Sequence, residues 1–308
     1  MKLFDVCEIN PRQRGISDDT LVSFVAMPDV SEDGKINTSV IRPFSEVKKG
    51  YTVFQEGDIL FAKITPCMEN GKGALATGLK NGIGVGSTEF HVLRPNPGYV
   101  DGMWVYYLTA WPAFRREAES HMTGSAGQRR VPKSFLEEYT LSVPSLNTQC
   151  EQVEHLDRVN KIIEARKEQV HILDQLIKAR FVEMFGTVHN NVFQFAEGTL
   201  ESISYEFFAG GDKPEDCTKE RDEAHPYPVF ANGYENEGLQ GYSAKCRVTQ
   251  PAVTVSARGT IGYCFIREAG FTPVVRLVTI VPNNKVSPVF LKYAIDTMDI
   301  KSSGTSQA

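Results

Sequence analysis

The segment from Thr148 to about Phe185 contains neither proline nor glycine, and an apolar residue recurs in it every seven positions. Leu156, Ile163, Val170, Ile177 and Met184 make up that series, while Val159, Ile162, Leu173 and Leu176 widen the stripe and charged side chains fill most other positions. A seven-residue apolar repeat sustained over four heptads predicts a helix whose stripe packs on another helix, as in a coiled coil. Gly186 is placed to end it. At 1.5 Å per residue such a helix runs for roughly 57 Å, a length that favours a spacer over a surface helix on a globular core. Glu168, Lys178 and Arg180 read as charges of its solvated face. Phe181, Met184 and Phe185 near its end are placed to dock on a partner or to pack on the segment that follows.

The regions on either side have a different texture and share one order of segments. Residues 1–147 are rich in Gly, Pro and β-formers. Strands are expected at Thr52–Phe54, Asp58–Lys63 and Glu89–Leu93, with a hairpin turn at Asp33–Gly34. A helix from Val105 to Glu119 is expected to be interrupted at Pro112. Residues 187–308 repeat that order. ILFAK (59–63) aligns with TVSAR (254–258), FHVLRPN (90–96) with LVTIVPN (277–283), WVYYLT (104–109) with VFLKYAI (289–295), and GSAGQ (124–128) with GTSQ (304–307). The chain therefore reads as α+β, with two copies of one domain, 1–147 and 187–308, separated by a long coiled-coil-like helix, 148–186. After GSAGQ the first copy continues as RRVPKSFLEEYTLSVPSL, whereas GTSQ is followed only by Ala308. The second copy is thus expected to be incomplete, without its closing strands and its own helix.

Composition narrows the function. The formal net charge is −5, and basic and acidic side chains number 16 and 17 in residues 1–147, 6 and 7 in 148–186, and 11 and 14 in 187–308. No segment is basic overall, so any nucleic-acid affinity has to come from local clusters or from a partner that supplies most phosphate contacts. Cysteines 7, 67, 150, 217, 246 and 264 include no CxxC pair, which argues for reduced thiols rather than a zinc cluster or a disulfide framework. No apolar run is long enough for a membrane span, and MKLFDVCEINPR lacks the apolar core of a signal peptide. A cytoplasmic location is expected.

Several stretches, in their order, resemble the specificity subunit of type I restriction–modification enzymes. These are DVCEINPR (5–12), GDILFAKITP (57–66), GSTEFHVLRP (86–95), MTGSAGQRRVP (122–132), LDQLIKARFVEMFG (173–186) and VSARGTIGYC (255–264). Together they touch nearly the whole chain. The resemblance implies two target-recognition domains, each reading one half of a split site in double-stranded DNA. It further implies two long helices packed antiparallel as a ruler, and partner methyltransferase subunits that modify adenine. Restriction subunits, which translocate and cleave, would join in some assemblies. The subunit itself would do no chemistry and need no cofactor. This chain departs from the pattern in carrying one such helix, so pairing with a second copy is an arrangement open to it, giving a homodimer.

Two rival readings and a third class compete with this one. AsnProGlyTyr (96–99) and GlyIleGlyValGly (82–86) are superficially those of a free-standing DNA-modifying enzyme, an adenine methyltransferase with a flipped-base box and a glycine loop. The glycines lie too close to the box, with a strand between, so ordinary turns are the better reading. Pro28–Asp29 and Asp33–Gly34–Lys35 superficially match a metal nuclease, but one short turn cannot bring carboxylates from separate strands onto one ion. A helix-mediated interaction scaffold without DNA contact is the remaining class.

For DNA reading, residue types that reach base edges or phosphates are the candidates. The first cluster is Lys63, Thr65, Asn70 and Lys72, for which a solvated turn is the competing reading. The second is Ser125, Gln128, Arg129 and Arg130, in a Gly-containing loop suited to close backbone approach. The matching loops of the second copy offer Ser256, Arg258 and Thr260, then Thr305 and Gln307. Tyr227 to Tyr242 adds Asn232, Tyr234, Asn236 and Gln240, where a plain structural loop competes. Arg276 reads as structural, paired to a carboxylate.

Overall fold

The computed structural model describes residues 1–13, 15–125, 127–187, 191–298 and 300. The chain divides into two compact units, Met1–Glu164 and Ala165–Ala308, and the division falls within the long helix Leu146–Phe185.

Two four-stranded sheets form the first unit. One has the order Cys7–Ile9, Phe90–Pro95, Ile59–Ala62, Gly73–Leu75 and is antiparallel throughout. The other has the order Ile41–Pro43, Leu21–Val25, Ile83–Gly86, Thr52–Gln55, with a parallel central pair. The unbroken apolar run Ile59–Ala62 is buried on both faces, as a central strand requires. Ile59 and Phe61 face a core shared with Leu3, Phe114 and Leu136, under the helices Gly102–Ala110, Pro112–Ser120 and Lys133–Glu138. Leu60 and Ala62 face a second core with Phe54, Phe90 and Val92. The helix expected from Val105 begins earlier, at Gly102, where Asp101 caps it by accepting from the Trp104 N–H. It breaks at Trp111, and Pro112 opens the next helix, where its missing N–H removes no bond.

The second unit repeats this plan. Its first sheet has the order Cys264–Arg267, Ala252–Val255, Val278–Pro282, Ser204–Ala209, again antiparallel throughout. Read from the opposite edge, the first unit's order is the same, with Ile59–Ala62 matched by Ala252–Val255 and Phe90–Pro95 by Val278–Pro282. The second sheet again sets a parallel pair, Tyr227–Phe230 with Thr272–Pro273, beside an antiparallel one, Tyr227–Phe230 with Leu239–Ser243. Helix Pro288–Asp296 stands where Gly102–Ala110 stands in the first unit and buries Leu291 and Ile295.

The long helix begins where Ser145 Oγ accepts from the Thr148 N–H at 3.3 Å, and Gly186, at a φ of 75°, closes it with an N–H bond to the Val182 carbonyl. In the first unit it is anchored by Gln149, whose carboxamide accepts from the Asp101 N–H and donates to the Tyr99 and Pro144 carbonyls. In the second, Phe181 packs on Phe290 and Tyr293, and Phe185 on Phe290 and Phe195. The heptad residues Leu156, Ile163, Val170, Ile177 and Met184 were expected to be covered by another helix. In the single chain they are 41–59% exposed, and no second long helix lies among the described residues.

The glycines of GlyIleGlyValGly also have a structural cause. Ile83–Gly86 is a strand, and a Cβ added at Gly84 would lie 2.1 Å from the Phe54 ring. Asp29 and Asp33 are likewise engaged locally, Asp29 with the Ala26 N–H and Asp33 with Ser31 and Lys35. Gly84→Ala is expected to destabilise the first unit by about 1–3 kcal/mol through overpacking. Urea unfolding of the variant beside the parent chain measures this, and equal midpoints would show that the Phe54 ring can move aside.

Candidate nucleic-acid interface

The two candidate loops of the first unit lie side by side. The Thr65 N–H donates to the Arg129 carbonyl, the Val131 N–H donates to the Lys63 carbonyl, and Ile64 bridges to Arg130. Residues 64 to 68 positions apart thus form one surface. Its cations are largely matched by carboxylates. Arg130 makes a two-pronged contact with Glu89, Nε to Oε2 at 2.9 Å and Nη2 to Oε1 at 2.9 Å, and this holds the Glu89 carboxyl below its ordinary pKa. Arg129 reaches Glu69 at 3.4 Å and Glu119 at 3.7 Å. The Thr65 hydroxyl donates to Glu69, and Lys72 Nζ donates to the Met27 carbonyl. Asn70, Ser125 and Gln128 are exposed at the loop tips. Lys63 lines an open groove of about 490 Å³ with Asn10, Arg12 and Gln13. The Oε1 of Gln13 is buried with no partner among the described residues. Arg12 and Gln13 escape a search for loop clusters because they precede the first long strand and join Lys63 only in three dimensions.

In the second unit three turns converge. Asn232 is the hub. Its Oδ1 accepts from the Ala257 N–H at 2.8 Å and its Nδ2 donates to the Val275 carbonyl at 2.6 Å. With both ends of the carboxamide engaged inside the protein, Asn232 has little left for the base-edge role expected of it. Ser256 is buried, and its Oγ accepts from the Gly233 N–H; Thr260 Oγ1 is buried too. Neither hydroxyl is placed to touch DNA. Tyr234, Asn236 and Arg258 are exposed, and the Tyr234 ring lies 4.7 Å from that of Tyr263. Arg276 forms no ion pair among the described residues and is exposed, contrary to the carboxylate pairing expected of it. Thr305 and Gln307 lie outside the described residues.

A buried arginine holds the loops in each unit. Arg115 donates to the Met68 carbonyl at 2.7 Å and to the Lys72 carbonyl at 3.3 Å, beneath the Phe61 ring. Arg267 donates to Thr254 Oγ1, to the Glu237 carboxylate and to the Glu237 carbonyl, and stacks on Phe230 at 3.7 Å. Burial pushes both guanidinium pKa values down to about 10, so both stay charged at neutral pH. His91 performs a related task in the first unit. Its Nε2–H donates to the Val131 carbonyl at 2.8 Å, and its Nδ1 accepts from Asn10 Nδ2 at 3.0 Å. This fixes a neutral tautomer next to Arg130.

Two copies of one sheet scaffold, each presenting polar loops held from beneath, define a tandem-domain scaffold. The chain belongs to the type I restriction modification DNA specificity domain family, whose model matches residues 1–173 and 206–308. It is 46% identical over 146 residues to the type I restriction enzyme EcoAI specificity subunit of Escherichia coli, a match covering 47% of this chain and 25% of that protein. It is 45% identical over 144 residues to the EcoEI specificity subunit of the same organism, covering 46% of this chain and 24% of that one. The matched part thus spans about a quarter of the length of these curated relatives. A solved chain from a study of complex assembly and conformational transition in the type I R-M system shares the fold. Its TM-score is 0.51 at 18% identity, covering 100% of this chain and 82% of that chain. No helix of the described residues is long and apolar enough to cross a membrane.

Burial lowers the His91 pKa to about 4 from an ordinary 6.5. The unfolded chain therefore binds the proton more readily than the folded one between these values. The stability that the neutral His91 confers is complete above about pH 6.5 and falls as pH drops towards 4, by about 1.4 kcal/mol per pH unit. Urea unfolding across this range is expected to show that slope in the parent chain and to lose it in His91→Gln. Parallel pH profiles for the two proteins would exclude His91 as the titrating group.

Proposed function

We propose that this chain is the DNA-recognition subunit of a type I restriction–modification complex, reading a split site in double-stranded DNA. The observation that carries the reading is the repeated scaffold bearing unlike loop side chains. One unit presents Asn70, Ser125 and Gln128 at its tips beside Arg129 and Arg130; the other presents Tyr234, Asn236 and Arg258. Equal frames with different donors suit two different half-sites. Family membership supports DNA as the ligand, and the E. coli relatives are named as specificity subunits of restriction enzymes. Residues 1–147 and 187–308 would be the two target-recognition domains and 148–186 the spacer. Adenine methylation would belong to partner methyltransferase subunits, with restriction subunits joining the same assembly. The long helix orients these partners and sets the gap in the site.

A second element of the reading is a homodimer through that helix. The exposed Leu156–Met184 stripe favours it, since a heptad face left open in one copy matches the same face of another. Replacing Ile163 and Ile177 together by Glu places charge in the seam. The parent is expected to sediment as a dimer at micromolar concentration and the variant as a monomer. A monomeric parent would remove the homodimer and leave the stripe to another helix.

The DNA-reading role is tested by co-expressing a partner methyltransferase with and without this chain and sequencing the genomic DNA for methylated adenine. A split motif that appears only with the chain is the expected result. A palindromic motif would assign one reading domain per chain in a dimer. No motif from an assembled complex would refute the role.

A further inference from the structure

Two arginines in the second unit differ from Arg129 and Arg130 of the first unit's candidate loops, which are paired with carboxylates. Arg258 and Arg276 are exposed, and neither guanidinium takes a hydrogen bond or an ion pair among the described residues. Each follows directly on a backbone group held by Asn232. The carboxamide accepts from the N–H of Ala257, one residue before Arg258, and donates to the carbonyl of Val275, one residue before Arg276. One side chain thus ties together two turns that are 18 residues apart in sequence.

The second of these turns is strained. Val275 and Arg276 have φ values of 52° and 58°, a region that β-branched and long side chains rarely adopt. The turn is seated on Gly210 and Gly211, whose carbonyls accept from the Arg276 and Val275 N–H groups. A Cβ at Gly210 would meet the Pro273 carbonyl carbon at 2.6 Å. Strained backbone of this kind persists where the surroundings over-determine it, and it marks places where a side chain must be aimed. Here the aimed side chain is Arg276. Its aim points away from the core, because Leu277, the next residue, takes the buried position.

We infer that Arg258 and Arg276 form a paired phosphate grip on duplex DNA, and that Asn232 is the positioning residue that sets their spacing. The inference rests on the DNA-reading role proposed above and makes it specific at this site. Phosphate is the favoured target because two unpaired guanidiniums carried on neighbouring turns match two charges of one strand. Asn232 then acts without touching DNA, and Arg276 acts where a structural ion pair was expected.

The test is fluorescence anisotropy of the full chain with a labelled duplex of arbitrary sequence, across a salt series. Arg258→Ala and Arg276→Ala are each expected to weaken binding roughly 5–10-fold near 0.1 M salt and to lower the salt slope by about 0.9. Both side chains are exposed, so the melting temperature should not move. Asn232→Ala is expected to weaken binding roughly 3–10-fold in the parent, and less than twofold in the Arg258→Ala, Arg276→Ala double variant, because there is nothing left to position. If Asn232→Ala fails to fold, Asn232→Asp keeps the acceptor for Ala257 and removes the donor to Val275, so its loss should vanish in the Arg276→Ala background alone. Equal losses from Asn232→Ala in both backgrounds would overturn the positioning role. Unchanged binding by the arginine variants, with the parent binding normally, would overturn the grip and leave the DNA-reading role standing. Loss of sequence preference with an unchanged salt slope would make the arginines base readers and overturn the phosphate assignment. A parent chain that binds no duplex would overturn both.

Discussion

The loops of each unit depend on a charge placed where there is almost no water. Arg115 and Arg267 lie under their loops, Arg115 donating to the Met68 and Lys72 carbonyls and Arg267 to the carbonyl and carboxylate of Glu237. A guanidinium suits this work because its five N–H groups diverge in one plane and its charge survives burial. Removing one would leave loop carbonyls unpaired in a low-dielectric interior, a loss larger than the bond itself is worth. In the first unit Asp58 supplies a further tie. It accepts from Arg94 on one strand and from the Gln55 N–H on a strand of the other sheet, and so couples the two sheets. The loop tips project from this frame and contribute little to it.

In the DNA-reading role proposed above, that division would let an acidic chain serve a polyanion. In the first unit the two loop arginines already have carboxylate partners, Arg130 with Glu89 and Arg129 with Glu69 and Glu119. A phosphate approaching this surface exchanges one anion for another, so the gain from each contact is reduced by the pair it breaks. In the proposed role, binding would then be weak on any sequence unless base-edge contacts added to it, which would favour discrimination over raw affinity. The second unit keeps unpaired guanidiniums instead. In that role the two units would contribute unequally to holding DNA.

Much of this architecture is legible in the sequence. Strands such as Ile59–Ala62 and Val278–Pro282 are short apolar runs bounded by turns, and the long helix carries its repeat openly. Order and periodicity are local properties, so a single chain displays them. The tethers are not local. Asn232 reaches Val275 across 43 residues, and Arg130 reaches Glu89 across 41. Nothing near Asn232 distinguishes a carboxamide that reads bases from one that braces turns, since both need the same donor and acceptor. Arg276 was harder still, because an arginine beside a strand pairs with a carboxylate more often than it stands alone. The heptad face is open in the single chain for a different reason. The repeat specifies a partner helix without specifying which chain supplies it.

That open face has a further consequence for motion. From Ala165 to Ile177 every residue of the helix is exposed, so this stretch is held by intrinsic propensity and by short-range side-chain pairs such as Arg166 with Gln169. Helices supported in this way are marginal in water, and their backbone bonds open at a small fraction of the global unfolding free energy. Amide protons at the centre of the helix should therefore exchange with solvent faster than those near Gln149 or Phe181, whose side chains are buried. A covering helix would slow them. If a second helix covers the stripe as proposed, the midpoint of the helix would be a built-in gauge of assembly, its protection rising by mass action with the partner's concentration.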